Sequence, residues 1–260
     1  MCGIIGYSGP RKTSSVLLEG LRRLEYRGYD SAGIAVGGGN YGNYPLGIVK
    51  SVGKIAALKV AIPADLDGKW GIGHTRWATH GGVTVLNAHP HTDSSGKIAV
   101  VHNGIIENHH SLKAMLEKKG YVFVSETDTE VIPHLIAEYY KGDLLEAVKA
   151  AIQNLQGTYG IACIHADEPG RIVGARNGSP LVIGIGTGEM FLASDITAMV
   201  TYTDKVVYLN DGEIVDIGQD YYTIIDREER KVDKKVDQIT WELGSIETGD
   251  FPCHMEKEIF

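Results

Sequence analysis

Met1-Cys2-Gly3 puts a thiol one residue from the first position of the chain. Removal of Met1 would leave the Cys2 thiol and an α-amino group on the same residue. An α-amino group titrates at about 7.7–8.0, so near neutrality part of it is free base. Such a residue combines nucleophile and general base, usually through one bridging water. Cys2 also opens an apolar strand, Cys2–Ser8, and the tripeptide alone leaves both readings open. Val100-Val101-His102-Asn103-Gly104 ends an apolar run in Asn-Gly. That dipeptide is the commonest hairpin signal. Standing alone it would be read as that turn; functionally it is also a competent pair of oxyanion donors, an amide and an exposed N–H, and one such donor is worth about 2.7–4 kcal/mol of barrier.

Three further stretches carry more polar chemistry than their connections require. Leu24-Glu25-Tyr26-Arg27-Gly28-Tyr29-Asp30-Ser31 packs an Arg, an Asp and two Tyr around a Gly, where a helix-to-strand turn needs only the Gly. Gly71 to Gly81 carries Arg76, Trp77, His74 and His80 between glycines that can act as hinges for a loop closing over a ligand. Ser125-Glu126-Thr127-Asp128-Thr129-Glu130 opens a helix; its acids either offset the helix dipole or grip an ammonium group. The histidines form no His-Glu-x-x-His, and no Cys-x-x-Cys occurs, so a metal is not expected. No glycine-rich phosphate loop lies between a strand and a helix.

The elements that must position these residues follow from periodicity. Val16, Leu17, Leu21 and Leu24 predict a helix over Thr13–Arg27, and Ser31–Val36 a buried strand ending in a Gly37–Asn40 turn. Strands are expected at Trp70–His74 and Lys97–His102, with an irregular stretch from Thr75 to Ser95 between them. Helices should start near Asn108, at Thr127 through a Thr127-x-x-Glu130 capping box, and at Asp143. From Gly157 to Ile225 short strands alternate with turns, which predicts antiparallel pairing and an α+β chain. With 43% hydrophobic residues, 260 residues can bury a sizeable core. The net charge of −8 and the lack of a basic stripe argue against nucleic acid and anionic membranes as partners. No signal peptide or membrane-length apolar run is visible, and three unpaired-looking cysteines, Cys2, Cys163 and Cys253, suit a cytoplasmic protein. Glu258-Ile259-Phe260 lacks any stop signal and reads as a cut in a longer chain.

Met1-Cys2-Gly3-Ile4, Leu21 to Gly33, His74 to Gly81, Asn87-Ala88-His89-Pro90-His91, His102-Asn103-Gly104-Ile105 and Thr127-Asp128-Thr129-Glu130 together resemble the class II glutamine amidotransferases of the N-terminal nucleophile hydrolase superfamily, in their amino-sugar branch. The resemblance implies a four-layer αββα sandwich of two largely antiparallel sheets. It implies hydrolysis of L-glutamine through a Cys2 thioester, with Asn103 and Gly104 holding the oxyanion and Arg27 ordering the nucleophile's surroundings. Arg76 would take the substrate carboxylate and Asp128 its ammonium, with Trp77, Thr79 and His80 lining or covering the pocket. No cofactor is implied. Residues 1–240 would be the amidotransferase domain and 241–260, with Met255-Glu256-Lys257-Glu258-Ile259, the start of a linker to C-terminal sugar-phosphate isomerase domains. The full-length family enzyme would be a homo-oligomer through those domains, and this stretch alone a monomer. His89 matches the family without an evident chemical role. The rival readings are another class II amidotransferase, a papain-type Cys-His hydrolase, and a glutamine-binding regulatory module.

Overall fold

The computed structural model describes residues 2–42 and 45–240. Met1, residues 43 and 44, Cys253 and the expected linker at 241–260 lie outside the described residues. The first half runs β1 (Gly3–Ser8), α1 (Thr13–Leu24), β2 (Ser31–Gly37), β3 (Gly47–Val52), α2 (Ile55–Ala61), β4 (Trp70–Arg76), β5 (His91–Thr92) and β6 (Ile98–Ile106). Three helices follow: α3 (His109–Lys118), α4 (Val131–Tyr139) and α5 (Leu144–Ile152). The rest is strand: β7 (Gly157–His165), β8 (Ile172–Asn177), β9 (Val182–Ile185), β10 (Met190–Ala193), β11 (Lys205–Tyr208), β12 (Ile214–Ile217), β13 (Tyr222–Ile225) and β14 (Asp237–Gln238).

These strands form two antiparallel sheets, ordered β14-β11-β9-β10-β1-β4-β2-β3 and β13-β12-β8-β7-β6-β5. The alternating text after Gly157 is therefore divided: β7 and β8 lie in the second sheet, β9 to β11 in the first, and β12 and β13 return to the second. Three apolar clusters mark the layers. Val16, Leu17 and Leu21 of α1 and Leu58 of α2 cover one face of the first sheet against Ile5, Tyr7 and Ile34. Ile4, Ile72, Val101, Ala162 and Leu192 fill the space between the sheets. Val100, Ile161 and Val173 pack the outer face of the second sheet against Leu116, Ile132, Leu135 and Val148 of α3 to α5. This is the expected αββα sandwich. The period-2 alternation of each strand divides its side chains between an inter-sheet and a helix-facing layer. Among the described residues no helix is long and apolar enough to cross a membrane.

Several boundaries differ from expectation. The α-helix stops at Leu24, and Glu25–Arg27 is a 3-10 turn that leads into the Gly28 crossing. The Thr127-x-x-Glu130 capping box does not form: Asp128–Glu130 is a 3-10 turn, and Thr127 makes no side-chain cap. Instead, Thr127 Oγ1 meets His91 Nε2 at 3.1 Å, and Glu130 reaches further back, to the Val124 and Ser125 amides. Asp143 does cap α5, accepting from Leu145 N and Glu146 N. Asn103-Gly104 is no hairpin turn; it lies inside β6, paired with Gly160 and Tyr159 of β7. The irregular stretch is shorter than expected, because β4 continues to Arg76 and His91–Thr92 pairs with β6. β3 and α2 had no clear signal: β3 mixes Lys50 and Ser51 into an edge strand, and α2 buries only Ile55 and Leu58.

Candidate active site

The site forms where the inter-sheet layer runs out. Ile4 points into that layer, so Cys2, two residues earlier, faces the same side. Val101 points into it from the opposite sheet, so Asn103 does too, and Ile72 likewise brings His74 of β4. Registers complete the placement, with Gly3 opposite Thr75 and Ile4 opposite His74. Gly3 is required by packing: a Cβ there would lie 2.7 Å from Leu24 Cβ. Cys2 thus stands at one end of the sandwich core, facing polar side chains where the residues behind it face aliphatic ones.

Asn103 Nδ2 donates to the Cys2 carbonyl at 3.3 Å, and its Oδ1 lies 3.0 Å from His74 Nε2. The Trp77 amide donates to Cys2 Sγ at 3.2 Å, and the thiol in turn can donate to the Trp77 carbonyl at 3.6 Å. Burial pushes the Cys2 thiol above its ordinary 9.0, and nearby Asp30 adds to this; the Trp77 amide and the Arg76 charge pull it down. A thiol raised in this way needs a base to become a nucleophile.

The polar cluster after α1 now has an explanation. Gly28 crosses directly over the Arg76–Trp77 peptide, where a Cβ would stand 2.8 Å from the Arg76 carbonyl carbon. Asp30 accepts from Ala78 N at 2.7 Å and donates its own amide to the Arg76 carbonyl at 3.1 Å. Tyr29 meets the Trp77 ring edge-on at 5.6 Å. Together they hold the Trp77 N–H against the sulfur. Arg27 pairs with Asp195 at 2.9 Å, tying the 3-10 turn to the segment after β10, the neighbour of β1.

Arg76 is buried, and its Nη atoms bind the carbonyls of His80, Gly81 (3.4 Å) and Gly82 (3.1 Å). The loop so gathered is largely exposed, with Trp77 at 46% and Leu86 at 59%. His80 Nδ1 lies 3.4 Å from Thr79 Oγ1, and its ring meets His109 edge-on at 5.8 Å. Asn87 and Glu126 latch the loop's far side: Asn87 Nδ2 donates to the Gly82 carbonyl at 3.0 Å, and Glu126 Oε2 accepts from Gly82 N at 3.1 Å. Asp128 is buried, accepts from Ile106 N at 2.7 Å, and lies close enough to Arg76 for their charges to interact. Glu130 fixes the segment leading to Asp128 by accepting from Val124 N, Ser125 N and Ser125 Oγ at 2.6–2.8 Å. Gly104 stands beside Asn103 with φ +131, a conformation that side-chain-bearing residues rarely adopt, and a Cβ would collide with the Thr158 carbonyl oxygen.

The structure therefore gathers Cys2, Arg76, Trp77, Asn103 and Asp128, with Thr79 and His80 on the adjoining loop. Sequence reasoning placed His74, Asp30, Asn87, Glu126 and Glu130 in stretches it singled out but gave none of them a role of its own. For His74 a signal existed, since it follows Ile72 on an alternating strand. The Glu126–Asn87 and Glu130 contacts depend on loop paths that no local pattern encodes. His89 belongs to a buried histidine group: it stacks on His74 at 4.0 Å, meets His91 edge-on at 4.8 Å, and accepts the His102 amide through Nδ1 at 3.3 Å. Burial holds His89, His91 and His102 below the ordinary 6.5, and His74 down to about 3, so these rings are neutral. Among the described residues no cluster of His, Cys, Asp or Glu is arranged to hold a metal ion.

Comparison with known proteins bears on the fold and the family. Residues 74–201 match the family model described as a glutamine amidotransferase domain. The whole chain is 51% identical to glutamine–fructose-6-phosphate aminotransferase (isomerizing) of Thermus thermophilus, of which it covers 42%. It is likewise 51% identical to the Aquifex aeolicus enzyme of the same name, covering 43% of it. The chain thus spans less than half the length of these curated relatives. Among solved structures, a glutamine phosphoribosylpyrophosphate amidotransferase from B. subtilis, complexed with ADP and GMP, aligns with TM-score 0.75 and 27% identity over 88% of this chain and 50% of that one. A glutamine aminotransferase class-II domain protein from Silicibacter pomeroyi aligns at TM-score 0.60 and 18% identity, over 86% of this chain and 98% of that one, and shares the fold. By motif, sheet architecture and kinship, the chain belongs to the class II glutamine amidotransferases, on the N-terminal nucleophile hydrolase fold.

Proposed function

We propose that this chain hydrolyses L-glutamine to glutamate and ammonia, with Cys2 as nucleophile and, once Met1 is removed, the Cys2 α-amino group as general base. The amine takes the thiol proton, and Sγ adds to the side-chain amide carbon. The resulting oxyanion is held by Asn103 Nδ2 and the Gly104 N–H. Collapse breaks the C–N bond, ammonia leaves with the proton from the amine, and a thioester remains. Water, deprotonated by the same amine, then releases glutamate and restores the thiol. Arg76 spends three hydrogen bonds on the loop carbonyls, and its remaining donors suit a carboxylate. Asp128 takes the substrate ammonium, Thr79, His80 and Trp77 line or cover the pocket, and Arg27 braces the nucleophile's strand through Asp195.

The observation that carries this reading is the convergence on Cys2 of the Asn103 amide, from a strand of the second sheet, and the Trp77 N–H, from the residue that follows β4 of the first. A papain-type site needs a histidine as base. His74, the ring in contact with Asn103, is buried, neutral and hydrogen-bonded away from the sulfur, which disfavours that rival. We further propose that residues 1–240 are the glutaminase domain of a longer cytoplasmic, oligomeric enzyme. Its C-terminal isomerase domains, reached through 241–260, would use the ammonia to convert fructose 6-phosphate to glucosamine 6-phosphate. The names of the relatives support this assignment.

The decisive experiment measures glutamate release from L-glutamine by protein whose N-terminus has been established by mass spectrometry. Activity should require loss of Met1 and vanish in Cys2→Ala. Turnover by protein that retains Met1 would exclude the α-amino group as base, and a fully active Cys2→Ala would end the thioester mechanism.

A further inference from the structure

We propose that His74 is a positioning residue that dictates which way the Asn103 amide faces, and so aims the oxyanion donor at the carbon that Cys2 attacks. The inference rests on the glutaminase reading above and concerns a residue that touches no reacting atom.

His74 Nε2 has two neighbours, the His102 carbonyl oxygen at 3.1 Å and the Asn103 side chain at 3.0 Å. A carbonyl oxygen can only accept, so the proton of the neutral imidazole must sit on Nε2. With a donor there, the Asn103 atom facing it must be the acceptor Oδ1. Nδ2 is thereby turned toward Cys2, whose carbonyl takes one of its two N–H groups at 3.3 Å. The second N–H is left for a developing oxyanion. The flipped amide would oppose N–H to N–H at His74 and oxygen to oxygen at Cys2. Asn103 has no other side-chain partner among the described residues, so these two contacts set its orientation.

The ring is built to keep that proton where it is. His74 is fully buried and stacked on His89 with an interplanar angle of 14°. His89 in turn accepts the His102 amide, so both main-chain groups of His102 are engaged by the stacked pair. His74 Nδ1 is buried without a hydrogen-bond partner. Leaving such an atom unpaired costs stability, and an apolar residue in an aliphatic core would avoid that cost. A strand that needs an N–H donor at this one position gives the ring a reason to be there.

Two measurements test the inference. In the wild-type chain, 15N NMR of the His74 ring should show Nε2 protonated and Nδ1 bare; protonation on Nδ1 overturns the proposal whatever the variants do. The second compares His74→Gln, whose amide nitrogen reaches the Nε2 position, with His74→Asn, whose shorter amide reaches only the Nδ1 position. His74→Asn should lose roughly 10–100-fold in kcat, less than the roughly 100–1,000-fold loss for deleting an oxyanion donor outright, with KM nearly unchanged. His74→Gln should recover most of that loss. L-glutamate γ-semialdehyde, to which the Cys2 thiol adds to give a hemithioacetal, reports on the oxyanion site directly. Its affinity should weaken in His74→Asn by the same factor as kcat, while affinity for product glutamate stays constant. Asn103→Ala separates the two levels. If it leaves aldehyde affinity intact, the oxyanion reading itself fails. If it weakens the aldehyde and His74→Asn does not, only the positioning role fails.

Discussion

Half of this site is carried by strands and half by a loop, and the two are held by different physics. His74, Asn103 and Gly104 lie in paired strands and Cys2 stands immediately before β1; Cys2, His74 and Asn103 continue the inter-sheet rows of Ile4, Ile72 and Val101. Shifting any of the three strand residues requires moving a paired strand, and Cys2 is one residue from one. Residues 77–86 are anchored by Arg76 on three carbonyls and by the Asn87–Glu126 latch, with apolar Trp77, Val83, Val85 and Leu86 facing outward. A few hydrogen bonds separate that arrangement from another. On the proposed mechanism, chemistry that must be accurate to a fraction of an ångström would sit on the rigid half, and the parts that admit and release glutamine on the loop half.

Acid should separate the halves most strongly. The strand half contains buried neutral histidines, His74, His89, His91 and His102, and His134 and His165 elsewhere are also held below 6.5. Their folded pKa values are lowered, so the unfolded chain binds more protons as pH falls. The stability they contribute is complete above 6.5 and is lost on descending toward about 3, the value to which His74 is depressed. Each can contribute a slope of up to about 1.4 kcal/mol per pH unit. The loop half responds later. Glu126, lowered from 4.5 by Asn87 and the Gly82 amide, keeps its contacts until the pH drops below 4.5. Urea unfolding at pH 7.5, 6.5 and 5.5 should show a steep fall in the last interval, where carboxylates barely titrate. Flat stability down to 5.5 would mean that the rings are not buried neutral.

The same division explains what was legible in the sequence. The sandwich was readable because Ile4, Ile72 and Val101 alternate and Val16, Leu17 and Leu21 repeat at helical spacing, and these periods are what a sheet-and-helix core consists of. Cys2 and Asn103 could be named because a near-terminal thiol and an Asn-Gly after an apolar run are chemically unusual. That Asn103-Gly104 would be strand and not turn was hidden, because a hairpin and a strand carrying a positive-φ glycine share the same local text; β7 decides between them. The Glu130 and Asn87 contacts were illegible for a related reason. Glu130 reaches back to the Val124 and Ser125 amides, and Asn87 binds the Gly82 carbonyl and the Glu126 amide, backbone groups that every residue possesses and no residue type announces.

A smaller effect, still on the rigid half, is expected from Gly104→Ala. Its φ of +131 is strained for any residue with a Cβ, and the new methyl would meet the Thr158 carbonyl oxygen across the β6–β7 ladder. Stability should fall by about 2–3 kcal/mol, and kcat by at least roughly tenfold as the donor next to Asn103 shifts. Urea denaturation together with glutaminase assays would measure both. A variant as stable as wild type would show that β6 can relax here, and the strand half would be less rigid than its register suggests.

The smallest effect should come from cutting the latch. Asn87 is buried, and its side chain makes three hydrogen bonds, to the Gly82 carbonyl, to Glu126 Oε2 and from Glu126 N. Asn87→Ala removes all three, leaving the Gly82 carbonyl to Arg76 alone and the Glu126 carboxylate to the Gly82 amide alone. Loss of stability should be about 1–2 kcal/mol. Because the change loosens residues 80–82 without touching Cys2, His74 or Asn103, KM for glutamine should rise by roughly 3–10-fold while kcat stays within about twofold. Steady-state kinetics over a glutamine series separates these quantities. If kcat fell as far as it does in Asn103→Ala, with KM unmoved, the loop would be setting the reacting geometry itself, and the two halves of the site would have to be treated as one.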